Sequence, residues 1–225
     1  MKKLILFDID GILIRSVSTG STPYLMKKYF DIEPFETKVY MEGKTYRWIL
    51  RERLIEAGIE NPEENPKFLE ALNDITSVEN AVKDGIKIEK IARVEDLIKE
   101  LKDKGHVVGL LTGNTEKSAK IKLEFVDLWK YFDFGAFGSE TCIRSELVPL
   151  AMEDAKSKTG IEFEKDQVYL VGDTIADIEC AKQSGVKIIS VATGLESMEK
   201  LNSENPDFLF KDFNNSKEML NVMGI

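Results

Sequence analysis

Residues 4–7 form an unbroken apolar run that stops at Asp8-Ile9-Asp10-Gly11, and such a run bounded by turn residues predicts a strand buried on both faces. The pattern repeats at 107–111, which ends in Thr112-Gly113-Asn114 and leads into helical spacing over 117–125. It repeats again at 167–171, which ends in Gly172-Asp173-Thr174; Ile175, Ile178 and Ala181 then recur at helical spacing until Ser184-Gly185. A fourth strand is predicted at 187–192, with shorter candidates at 134–137 and 207–210. Strands alternating with helices over residues 90–210 predict an α/β fold, a doubly wound parallel sheet with helices on both faces.

Residues 17–84 interrupt the alternation with helical patterns at 24–30, 45–57 and 67–84, punctuated by Gly58 and Asn61-Pro62. The organisation expected is a discontinuous core of residues 1–16 and 85–225 carrying an inserted helical domain, 17–84, with hinges near 15–21 and 85–91. The helix at 94–104 places Leu97, Ile98 and Leu101 on one face and charges on the other, which core packing explains.

Composition narrows the partners. The chain has 225 residues, 43% hydrophobic and 32% charged, a balance that suits a water-soluble globule rather than a disordered or membrane-embedded chain. With 31 Lys and Arg against 40 Asp and Glu the net charge is −9, which repels a nucleic acid backbone. Cys142 and Cys180 form neither a disulfide scaffold nor a zinc pattern, so a reducing cytoplasm is the expected location. The apolar start is interrupted at Asp8, too early for a signal peptide, and no stretch is long enough to span a bilayer. The single histidine, His106, lies in a Lys-Gly-His turn suited to solvent, which disfavours chemistry built on histidine bases or ligands.

Three predicted strands end in acidic or hydroxyl-bearing turns, and in an open parallel sheet the carboxyl ends of the strands face one crevice. Asp8, Asp10 and Asp173 should therefore meet. Two carboxylates ~4 Å apart repel by about 4 kcal/mol at an effective dielectric of 20, and a divalent cation relieves that repulsion. Oxygen ligands without nearby His or Cys favour a hard ion, Mg²⁺. The Thr112 hydroxyl, the backbone N–H groups of Gly113 and Asn114, and the start of the following helix suit a phosphoryl group. Taken singly, each turn also has an ordinary structural explanation as a turn or helix cap.

The chain resembles the haloacid dehalogenase superfamily of aspartate-nucleophile hydrolases, and within it the phosphoglycolate phosphatase-like group. The first family motif, DxDGxL, stands as Asp8-Ile9-Asp10-Gly11-Ile12-Leu13; the second ends a strand as Leu111-Thr112-Gly113-Asn114; the fourth, GDxxxD, stands as Gly172-Asp173-Thr174-Ile175-Ala176-Asp177. The resemblance implies a Rossmann-like core, a nucleophile at Asp8, an acid and base at Asp10, Mg²⁺ held by Asp8, Asp173 and the backbone carbonyl of Asp10, and Asp177 as an outer support. The third motif is usually a lysine in a Lys-Pro-x-Pro stretch; Arg144, before Pro149, is the candidate here, with Lys156 or Lys158 as alternatives. Ile12 stands where the family usually has Thr.

The activity implied is hydrolysis of a small phosphomonoester through an aspartyl-phosphate, by a monomer or small homo-oligomer acting on a phosphorylated metabolite. Two other readings stay open: phosphoryl transfer, as in β-phosphoglucomutase-like relatives, and a catalytically silent binding module. By resemblance the insertion is a lid, and Gly43-Lys44-Thr45 precedes one of its helices. Lys44, Arg47 and Arg51 fall on one helical face, where they suit either an anionic substrate group or solvent, and Tyr46 and Trp48 suit a pocket lining or packing.

Overall fold

The computed structural model describes residues 1–16 and 21–225. In chain order the strands are β1 (Leu4–Phe7), β2 (Ile14–Ser16), β3 (Ile88–Lys90), β4 (Val107–Thr112), β5 (Gly135–Phe137), β6 (Val168–Gly172), β7 (Lys187–Val191) and β8 (Phe208–Phe210). Six of them make one parallel sheet in the order β5-β4-β1-β6-β7-β8. The predicted strands thus find their places in a doubly wound α/β fold. β2 and β3 form a separate antiparallel ribbon, Arg15 opposite Glu89, from residues expected as hinges. Part of the first expected hinge, residues 17–20, lies outside the described residues.

Residues 21–83 carry four helices, α1 (Ser21–Phe30), α2 (Tyr46–Glu56), α3 (Pro66–Asn73) and α4 (Thr76–Lys83). Leu25 and Met26 of α1, Leu50 and Leu54 of α2, and Phe68, Ala71 and Leu72 of α3 bury one another in a cluster of their own. The single helix expected over 67–84 is two. Asp74 accepts the Thr76 backbone N–H at 2.7 Å, offering the chain a local partner that ends one helix and starts the next.

The remaining helices are α5 (Val94–Asp103), α6 (Glu116–Phe125), α7 (Leu147–Thr159), α8 (Ile175–Ser184), α9 (Met198–Ser203) and α10 (Ser216–Val222). Side chains alternate across a strand, so β1 splits between two layers. Ile5 and Phe7 pack with Leu97, Ile98 and Leu101 of α5 and Leu123 of α6. Leu4 and Leu6 pack on the other side with Leu147, Ala151 and Ala155 of α7 and Ile178 and Ala181 of α8. Among the described residues no helix is long and apolar enough to cross a membrane.

The register fixes the site. Phe7 pairs with Leu110 of β4 and with Val171 of β6, so Asp8, Thr112 and Asp173 leave the sheet side by side at its carboxyl edge.

Candidate active site

Asp8 takes its orientation from two donors: its Oδ1 accepts the Ile9 N–H at 2.7 Å and its Oδ2 accepts Arg144 Nη2 at 2.7 Å. Arg144 stands in a single 3-10 turn, Arg144–Glu146, just before α7. The same Nη2 donates to Asp177 Oδ1 at 2.6 Å, so one buried guanidinium ties the first turn to the third. Lys156 is turned away to Glu162, and Lys158 is exposed. Asp177 is fully buried, and its second oxygen accepts both the N–H and the hydroxyl of Thr174 at the start of α8. The Thr174 hydroxyl in turn accepts the Asp177 N–H, the reciprocal cap that holds this helix start in place.

Asp173 is different. It is buried, and its Oδ1 has no hydrogen-bond partner among the described residues. Burial, then the neighbouring charges of Asp177 and Asp8, push its carboxyl up to about 9, from an ordinary value of 3.8. The backbone comes close around it: a Cβ on Gly194 would lie 1.6 Å, and on Gly11 2.2 Å, from Asp173 Oδ2. Gly11 also has a positive φ of 81°, which favours glycine at the turn after Asp10. One oxygen each from Asp8, Asp173 and Asp177 lie within 4.8 Å of one another. Burial also raises the Asp8 carboxyl, with Arg144 opposing the rise. An unpartnered buried oxygen among crowded carboxylates fits a hard cation, since such groups are otherwise left desolvated without compensation.

Asp10 points elsewhere. Its side chain, 42% exposed, is not one of those three carboxylates; its two oxygens accept Lys122 Nζ at 3.1 and 2.9 Å, and Oδ2 also accepts Asn114 Nδ2 at 2.8 Å. Asn114 Nδ2 and its backbone N–H both donate to the buried hydroxyl of Thr112, at 3.0 and 3.3 Å. Gly113 turns its carbonyl to the inserted helices, accepting the Tyr46 N–H at 2.8 Å, while Gly138 accepts the Arg47 N–H at 2.8 Å. Both N–H groups belong to the first turn of α2, which has no partner for them within the helix.

Lys122 stands in none of the sequence motifs. It lies on α6 between buried Ala119 and Leu123, a charge set into an apolar stripe, and that misfit was the available signal. Ile12 is fully buried and spent on packing. His106 serves the fold, its Nδ1 accepting the Lys3 N–H at 3.1 Å. The three cations part company: Arg47 of α2 pairs with Glu63 at 2.7 Å, whereas Lys44, which precedes the helix cap, sits over the Trp48 ring and lines, with Arg51 and Arg144, a cavity of about 320 Å³ between α2 and the core.

A protein of Clostridium perfringens provisionally named pyrophosphatase PpaX is 27% identical over 215 residues, covering 92% of each chain. Phosphoglycolate phosphatase of Aquifex aeolicus is 34% identical over 111 residues, about half of each chain (49%). Among solved structures, a hydrolase from Pseudomonas syringae superposes with a TM-score of 0.69 at 17% identity, over 99% of both chains, a likeness of fold. The profile of the haloacid dehalogenase-like hydrolases matches residues 5–191, from the first strand through the seventh and so across every turn described above, and the chain belongs to that family.

Proposed function

We propose that the protein is a Mg²⁺-dependent phosphatase that hydrolyses a small phosphomonoester through an aspartyl-phosphate on Asp8. The carrying observation is Asp173: a buried carboxylate oxygen without a partner, beside an Asp8 held by Arg144, is a cation site next to an oriented nucleophile. Asp8, Asp173 and the Asp10 carbonyl would hold the ion, with Asp177 in support. When bound, the ion supplies charge neutralisation between nucleophile and phosphate.

The chain's own residues do the rest. An Asp8 oxygen bonds to phosphorus as the ester P–O bond breaks, and a proton on Asp10 passes to the departing oxygen, which leaves as the alcohol. Water then attacks phosphorus, giving its proton to the Asp10 carboxylate and releasing phosphate and free Asp8. Arg144, the Thr112 hydroxyl and the Gly113 N–H are the phosphate-binding groups in this reading, the Asn114 N–H being spent on Thr112. Residues 17–84 act as the lid over the remainder of the substrate, supported by their separate apolar cluster and by the α2 N–H groups set on Gly113 and Gly138. A silent binding module would retain buried carboxylates that cost stability with nothing to offset them. The two cysteines are free thiols, in keeping with a cytoplasmic enzyme.

The test is release of phosphate from an aryl phosphate, from phosphoglycolate and from pyrophosphate, the last two chosen from the names of the relatives. EDTA should abolish it, Mg²⁺ restore it, and Asp8→Asn remove it; turnover indifferent to both chelator and Asp8→Asn defeats the proposal.

A further inference from the structure

We infer that Lys122 is a positioning residue for the leaving-group step: through Asn114 and its own ammonium it holds the Asp10 carboxyl group at the place from which it serves the departing oxygen. This rests on the phosphatase reading above and adds to it a residue that none of the family motifs contains.

The geometry is a closed triangle. Lys122 Nζ donates to Asp10 Oδ1 at 3.1 Å, to Asp10 Oδ2 at 2.9 Å and to Asn114 Oδ1 at 2.8 Å. Asn114 Nδ2 closes the figure on Asp10 Oδ2 at 2.8 Å. An ammonium has three hydrogens and no acceptor, so these three contacts use its full donor capacity. Its side chain is only 10% exposed, and setting a charged head into the face that carries Ala119 and Leu123 disfavours folding unless it is fully partnered. A leucine or methionine would fill that face with less loss.

The partner explains the placement. Asp10 follows a two-residue step after Asp8 and sits in the turn that Gly11 closes, where its carboxyl group has 42% of its side chain open to solvent. An exposed carboxyl group on a turn samples several rotamers, and general acid catalysis needs one of them. Asn114 reaches Asp10 Oδ2, whereas Lys122 spans both oxygens. α6 is capped by Thr115, whose side chain accepts the Ser118 N–H, which fixes Lys122 within the helix relative to Asn114 in the turn just before the cap.

A positional role has a chemical signature that a structural one lacks. A nitrophenolate leaves without a proton, whereas an alkoxide does not, and kcat/KM reports the steps up to expulsion of the leaving group. With a misplacement of about 1 Å able to cost ~100-fold, Lys122→Met should lower kcat/KM about 50-fold for a primary alkyl phosphate and only about 3-fold for p-nitrophenyl phosphate. Lys122→Arg should recover most of the alkyl loss. In an Asp10→Asn background the Lys122→Met change should cost less than about 3-fold on either ester, since residues that act as a unit are not additive. Equal losses on the two esters, or a full loss in the Asp10→Asn background, overturn the inference. If Lys122→Met does not fold, Lys122→Gln is read by the same ratio of losses. Failure of the phosphatase reading would show separately, as wild-type turnover that ignores EDTA.

Discussion

Replacing Asp173 with Asn should make the metal-free protein more stable while abolishing activity, and the size of the effect follows from the site. The folded carboxyl titrates near 9 and a free aspartate near 3.8, so between those values the folded state holds a proton that the unfolded chain has released. With a raised folded pKa, this group's stabilising share is complete below the unfolded value and is lost as pH rises toward the folded one. Each pH unit in that window removes about 1.4 kcal/mol at face value. From pH 5 to pH 8 the wild type would lose ~4 kcal/mol against the ionised unfolded chain, and any relaxation of the site that lowers the folded value brings this to about 2–4 kcal/mol, a fall in Tm on the order of 10 °C for a chain of this length. Asn has the same shape and no charge. Asp8, raised by burial, adds a slope of the same sign to both proteins, changed in the variant only by the loss of its repulsion with Asp173. Thermal unfolding in EDTA across pH 5–8 should therefore show the Asp173→Asn advantage widening as pH rises, and millimolar Mg²⁺ should lift the wild type at pH 8 without moving the variant. A difference that stays flat with pH, or narrows, refutes the reasoning that Asp173 is a desolvated carboxylate awaiting a cation.

Other outcomes follow from neighbouring contacts. Arg144→Met leaves Asp8 and Asp177 buried without their shared cation and should cost about 3–5 kcal/mol in urea titrations at pH 8, less at pH 5 where the orphaned Asp8 carboxyl takes up a proton. Gly138→Ala would put a Cβ 1.9 Å from Gly113 O and 2.8 Å from Tyr46 N, so the α2 start must shift off the core. We expect a loss of about 1–3 kcal/mol and a lower kcat/KM, checked by urea unfolding and aryl phosphate turnover.

The sheet and its three acidic or hydroxyl turns were legible because each signal is local: an apolar run, then a turn residue, then a helix start. Topology brings Asp8, Thr112 and Asp173 together, since parallel strands expose their carboxyl ends to one side. Arg144 was legible only as one of three cations, because the register of α7 constrains the positions before it loosely; in space it alone reaches Asp8. Lys122 escaped because its partner Asp10 lies 112 residues away, and a lysine at the border of an amphipathic helix reads as solvated. The backbone N–H of Asn114 was expected at a phosphate, yet in the fold it serves the Thr112 hydroxyl. The break at Asp74 was hidden for another reason: a side-chain cap within an otherwise helical pattern leaves hydrophobic spacing intact on both sides.

The arrangement of charge links these observations. Four carboxylates, Asp8, Asp10, Asp173 and Asp177, face two cations: Arg144 serves Asp8 and Asp177, and Lys122 serves Asp10. Among the described residues Asp173 is the one of the four with no cation paired to it, and with all four ionised the charges of these six groups sum to two negatives. A phosphate dianion approaching that site is repelled, and a buried aspartate with so high a pKa takes up a proton instead. A divalent cation held by Asp8 and Asp173 would reverse both conditions, taking the place of the Asp173 proton and offsetting the excess negative charge that a dianion meets. The instability of the metal-free site and its proposed affinity for phosphate are then two expressions of one imbalance. Substitutions that relieve the first, such as Asp173→Asn, should remove the second.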